Sequence, residues 1–193
     1  IWDTGQMDRF DQSIGATYQL PFKYIPLLSF LDGTYSYTGN FNWQRGSTAL
    51  ANVVDENNNS LGIVHTLQNA NTIQWNGSAN MQALYNSLGL RKNTKKSDKK
   101  KAGVKIKNSL IGVVTALRRV QFSYSENNGT VLPGYTQNIG FLGTANPGIA
   151  FALGRQEDIR FEAAKRGWLT EFPNFNQAYT TVHNNEISYN AEI

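Results

Sequence analysis

The chain has 193 residues, enough for one domain or part of one, and no cysteine, which excludes a disulfide framework and any cysteine-based metal site. Its net charge of +4 is local, because more than half of its 18 Lys and Arg fall between residues 91 and 119. Elsewhere charge is sparse and Asn, Gln, Ser, Thr and Tyr abound, unlike the evenly charged surface of a water-soluble domain.

No apolar run approaches the ~18 residues of a membrane helix. Membrane strands stay open, since a strand crosses with about ten residues and shows lipid only one face. The sequence starts with Ile1, not Met, and shows no charged stretch leading into an apolar one, so either a signal was removed or this is a fragment; 186–193 reads as a strand in progress, so the expectation is an internal piece of a longer chain.

The first expected strand is 10–22, with Phe10, Ile14, Ala16, Tyr18 and Leu20 on one side. A short connection, 23–30, leads to the clearest strand, 34–44. There Tyr35, Tyr37, Gly39, Phe41 and Trp43 alternate with Thr34, Ser36, Thr38, Asn40, Asn42 and Gln44. After a connection over 45–70, the stretch 73–85 repeats the pattern. Ile73, Trp75, Gly77, Ala79, Met81, Ala83 and Tyr85 share one face; Gln74, Asn76, Ser78, Asn80 and Gln82 share the other, with Leu84 the exception. Aromatics near both ends match the girdles of a membrane barrel, where Trp and Tyr favour the headgroup level.

The connection 86–118 holds a Lys-rich stretch, read as mobile, and a helix expected over 104–119 from the spacing of Ile106, Leu110, Val113, Val114 and Leu117. A strand at 120–126 alternates Val120, Phe122 and Tyr124 with Gln121, Ser123 and Ser125. A long connection, 127–179, contains a short helix expected at 158–166, with Gly167 at its stop. The last strand, 182–193, places Ile187, Tyr189, Ala191 and Ile193 opposite Glu186, Ser188, Asn190 and Glu192. If the strands run up and down, the longer connections 45–70 and 127–179 share one side, read as outside, and 23–30 and 86–118 become periplasmic.

Residues that could carry chemistry have plainer readings. His65 and His183 lie far apart, fit no metal spacing and read as loop or surface histidines. Glu157 and Asp158 read as first-turn helix charges. The glycine-rich stretch 140–154 lacks the Gly-Lys-Ser/Thr ending of a phosphate loop and reads as a folded outer loop, with a turn at Pro147-Gly148. The basic stretch has no interleaved aromatics, so nucleic acid is not expected, although anionic headgroups could attract it. Asn58, Asn76 and Asn128 match glycosylation acceptors in form only. No catalytic, cofactor-binding or metal-ligating residue is assigned, and the chain is not expected to be an enzyme.

Several stretches resemble the SprA/Sov family of Bacteroidetes, the outer-membrane translocon of the type IX secretion system, which is tied to gliding motility. They are 17–46, with Leu20-Pro21, Ile25-Pro26-Leu27-Leu28 and Asn42-Trp43-Gln44; 122–135, with Asn128-Gly129-Thr130 and Leu132-Pro133-Gly134-Tyr135; 141–170, ending in Gly167-Trp168-Leu169-Thr170; and 174–190. The Lys-rich insertion near 95–101 departs from the family pattern. The resemblance implies a protein-conducting pore in the cell outer membrane, built as a very large barrel, with secreted protein cargo, a PorV-like partner barrel and a periplasmic plug as partners.

The expected fold is therefore all-β: part of a very large antiparallel up-and-down transmembrane barrel with short helices in its loops. The expected lumen-facing residues are Thr34, Ser36, Thr38, Asn40, Asn42, Gln74, Asn76, Ser78 and Asn80, whose uncharged amides and hydroxyls hold water without gripping cargo. Those expected to face outer-membrane lipid are Tyr35, Tyr37, Phe41, Trp43, Trp75, Met81, Tyr85, Phe122 and Tyr124. Two other classes stay open. A soluble or surface-exposed β-rich binding or adhesin module would bury the aromatic stripes in a sandwich. A diffusion porin would show a closed barrel of its own with a charged constriction.

Overall fold

The computed structural model describes residues 7–90 and 115–193. Five strands form one sheet in chain order, running up and down and mostly antiparallel. They are β1 (Arg9–Gln19), β2 (Leu31–Gln44), β3 (His65–Asn80), β4 (Arg119–Tyr135) and β5 (Thr180–Glu192). Short helices are confined to the connections: α1 (Met81–Ser87), α2 (Ile149–Ala152) and α3 (Arg160–Lys165).

Two strands differ from their expected bounds. β3 begins at His65 because His65, Leu67, Asn69 and Asn71 continue the alternation, with amides standing where apolar residues were expected. It stops at Asn80, whose side chain accepts the Ala83 N–H at 3.1 Å and caps α1. Residues 81–85 fit a two-residue period, but Met81, Leu84 and Tyr85 also sit at i, i+3 and i+4, and the helix prevails. Met81 and Tyr85 are thus helical residues, not girdle positions of a strand, and Tyr85 is buried.

β4 continues past residue 126 to Tyr135, so the connection before β5 starts at 136. Its polar middle pairs across the sheet rather than looping out: Thr72 Oγ1 donates to Asn127 Oδ1 at 2.8 Å and Asn128 Nδ2 to Asn71 Oδ1 at 2.9 Å. The expected helix at 104–119 lies outside the described residues over 104–114, as does the Lys-rich stretch, and Arg119 belongs to β4. The short helix expected at 158–166 is present as α3, with Gly167 at φ 65° where it stops.

The chain groups into two compact units. Unit one is Ile1–Ala16, Tyr37–Ile73 and Glu126–Asn185; unit two is Thr17–Ser36, Gln74–Ser125 and Glu186–Ile193. The main buried cluster belongs to unit one: Phe41, Trp43, Leu67, Leu132 and Tyr135 from the strands, with Ile139, Phe151, Ala152, Ile159 and Ala163 from the 136–179 segment.

Candidate functional site

Cross-strand contacts sort the side chains onto two faces. In unit one, Asn42 Nδ2 donates to Asp11 Oδ1 at 2.6 Å, which puts Asn42, Asn40 and Thr38 with the odd residues of β1. A cavity of about 460 Å³ on this face is lined by Ser13, Asn40, Asn42, Gln68, Gly129 and Thr180, among others. In unit two, Thr17 and Ser36 share a hydroxyl contact at 3.3 Å, and Ser123 Oγ donates to Asn76 Oδ1 at 2.8 Å. The matching cavity, about 360 Å³, is lined by Thr34, Asn76, Ser78, Gln121, Ser123 and Ser188. Of the residues expected to face a lumen, Thr38, Asn40 and Asn42 share a polar face within unit one, and Thr34, Ser36, Gln74, Asn76 and Ser78 share one within unit two, by alternation, while Asn80 serves as a helix cap. Glu186 and Glu192 fall on the same side of β5 as Ser188.

The opposite face of unit one carries a second layer of protein. Phe41 and Trp43 are each 2% exposed. Phe41 meets Phe10 and Phe151, with ring centroids 6.1 Å apart in both cases, and Trp43 packs on His65 at 4.6 Å. These two residues were expected to face lipid; the structure places them in a protein core, because the 136–179 segment folds back onto the sheet. His65, expected in a loop, is a buried strand residue.

Polar groups hold the segment down. Asn69 Nδ2 donates to the carbonyls of Phe151 (2.6 Å) and Arg155 (3.1 Å), and Asn71 Nδ2 to that of Gly154 (2.8 Å). The Tyr37 hydroxyl donates to the Leu153 carbonyl at 2.7 Å, so this half-buried ring serves the clamp rather than a bare girdle. Gln156 donates to Asn69 Oδ1 and accepts from Thr130 Oγ1. Gly39 makes the close approach possible: a Cβ there would lie 2.1 Å from the Leu153 oxygen.

In unit two the corresponding face keeps its rings at the surface. Tyr35 packs on Trp75 with centroids 4.6 Å apart, and Phe122 on Tyr189 at 5.4 Å. Trp75 is 41% exposed and Tyr189 73%, and Tyr18, Phe122, Ile187 and Ile193 are exposed with them. Tyr124 shares the Phe122 face by alternation and is half-buried.

The connections hold their own polar structure. The Asp55 carboxylate accepts the backbone N–H groups of Asn57 and Asn59 and the Asn59 amide, and the Asn59 side chain leads in holding its carboxyl below the usual range. The Arg160 guanidinium does the same for Asp158, which also accepts the Arg160 backbone N–H at the start of α3. Among the described residues no group of three or more His, Asp or Glu could hold a metal ion. No described helix is long and apolar enough to cross a membrane, which does not bear on strands.

The clamp formed by Tyr37, Gly39, Asn69, Asn71 and Gln156 was not foreseen. Its signal was present: Gly39 interrupts an aromatic stripe, and Asn69 and Asn71 occupy positions in phase with Leu67 and Ile73. Compared with known proteins, the chain matches no family model and no curated sequence.

Proposed function

We propose that this chain is a wall segment of an outer-membrane protein-conducting channel of the type IX secretion kind, linked to gliding motility, with secreted protein as its cargo. The observation that carries this reading is the two-sidedness of unit two. One face is mostly amide and hydroxyl, with Asp32, Glu186 and Glu192 among them, and the other presents Tyr18, Trp75, Phe122, Ile187 and Tyr189 to the surroundings. A strand face of exposed rings is unfavourable in water and suited to a bilayer interface. In this reading Thr34, Ser36, Asn76 and Ser78 line an aqueous lumen wide enough for a folded polypeptide, which takes many strands. With five antiparallel strands, β1 and β5 run the same way, so joining them directly would need a parallel pair. An even-stranded antiparallel barrel therefore takes further strands. The partner barrel and the plug implied by the family resemblance belong to the same proposal. The covered face of unit one would stand where the wall is clothed by its own loop instead of lipid.

One observation favours a second reading, a β-rich binding or adhesin module. The core around Phe41 and Trp43 is closed over by the chain's own 136–179 segment, as in a layered water-soluble domain. Single cysteines discriminate the two, because the chain has none of its own. In cell envelopes, a fluorophore at Tyr189→Cys should be quenched by a lipid-borne quencher, and one at Ser188→Cys by a water-soluble quencher alone. Recovery of both variants in the soluble fraction, with no quenching by lipid, would overturn the channel reading.

A further inference from the structure

Two cavities of unit one adjoin where β2 ends. The first, about 490 Å³, lies between the 45–64 connection and residues 172–177, and its apolar walls include Leu50, Val53, Leu61, Val64, Phe172 and Phe175. The second, about 440 Å³, is bounded by Trp43, Thr136 and Asn138. Arg45 and His65 line both.

No Asp or Glu among the described residues lines either cavity. Among the described residues Arg45 forms no ion pair. Asp8 meets it only through the backbone, accepting the Arg45 N–H at 2.9 Å with its carbonyl. His65 is more than nine-tenths buried, and its Nδ1 has no hydrogen-bond partner among the described residues; neither has Nε1 of Trp43, whose ring packs against it at a tilt. A half-buried guanidinium without a paired acid, set against apolar walls, is an arrangement that gains from an incoming anion.

We propose that the space around Arg45 and His65 is a binding site for a monoanionic carboxylate carried on a short apolar body. The planar fork of Arg45 matches a carboxylate with two parallel N–H···O bonds. One cation with no second positive charge matches a single negative charge, and a phosphate dianion would be left half-neutralised against apolar walls. The Leu50, Val53, Leu61 and Phe175 surface takes the apolar remainder, and the cavity is within the size range of small-molecule sites. A free fatty acid and the C-terminal carboxylate of an apolar peptide share this chemistry. The site does not depend on the channel reading, since it lies within unit one.

The test is titration calorimetry on the full chain with hexanoate, 1-hexanol and hexylamine. Hexanoate is expected to bind at least tenfold more tightly than 1-hexanol, and hexylamine not at all. Arg45→Gln should weaken hexanoate tenfold or more and leave 1-hexanol unchanged, and Arg45→Lys should recover part of the loss. Equal affinity for hexanoate and 1-hexanol, or an Arg45→Gln chain that binds hexanoate as before, overturns the proposal. Should circular dichroism show Arg45→Gln misfolded, Val53→Asp places an acid at an exposed wall position instead. It should abolish hexanoate binding, and retention of binding overturns the proposal. Acetyl-Leu-Leu with a free carboxylate, against its amide, forms the second arm. Binding of either carboxylate upholds the site, and the tighter of hexanoate and the dipeptide identifies the source.

Discussion

Asn69 illustrates how one side chain can decide the placement of a distant segment. Its amide is 2% exposed and bonds the Phe151 carbonyl, 82 residues away. Asn69→Ala leaves the Phe151 and Arg155 carbonyls without that donor, and each group left unsatisfied in a buried setting costs about 1–3 kcal/mol. The urea midpoint should fall accordingly, whereas Asn40→Ala, on the exposed polar face, should stay within about 0.5 kcal/mol of the parent. Equal midpoints for the two variants would remove the clamp from the account. Gly39 is tested by steric contrast. In Gly39→Ala the new methyl meets the Leu153 oxygen at 2.1 Å, whereas in Gly77→Ala the nearest atom of a residue not adjacent in the chain, the Asp32 oxygen, is 3.8 Å away. Trypsin should cut after the exposed Arg155 faster in Gly39→Ala and at the parental rate in Gly77→Ala. The alternation at these positions was legible in the residues; the clamp was not, because an amide in a strand gives no sign of which carbonyl it will meet.

Among the elements, β2 and β3 carry the largest differences between expectation and structure. In β2 a single aromatic stripe has two fates. Phe41 lies against Phe151 of α2 and Trp43 is buried in the same cluster, and Tyr35 lies beside Trp75 near the surface. Composition cannot separate these, since an aromatic face is equally apolar to protein and to lipid. In β3 the expected strand was displaced along the chain: amides hid its beginning and α1 took its end. A lysine pair tests the exposed part of β3. Under the channel reading Trp75→Lys, which sets a charge on the lipid face, should cost up to about 2–4 kcal/mol, and Asn76→Lys much less. Folding yield into outer-membrane vesicles measures both, and equal losses would reject the facing assignment. Phe41→Lys does not test lipid exposure, because Phe41 sits in a protein core.

For the whole molecule the governing fact is a five-stranded sheet whose two edge strands pair with nothing further among the described residues. β1 and β5 have 11 and 13 residues and no proline, so little in either guards it against pairing with another chain. With exposed rings on one face of unit two, the isolated chain should associate in water and become monodisperse in detergent. Light scattering with and without detergent checks this, and a monodisperse chain in plain buffer would favour the adhesin reading.

What the residues determine by themselves is the local rule. A two-residue period of rings and methyls against amides and hydroxyls forces strands with one apolar and one polar face, because successive side chains in extended backbone point opposite ways. What only the tertiary structure decides is what each apolar face meets. That choice rests on contacts between residues far apart in sequence, such as Gly39 with Leu153 and Asn69 with Phe151, and it turns part of an apparently uniform stripe into a protein core.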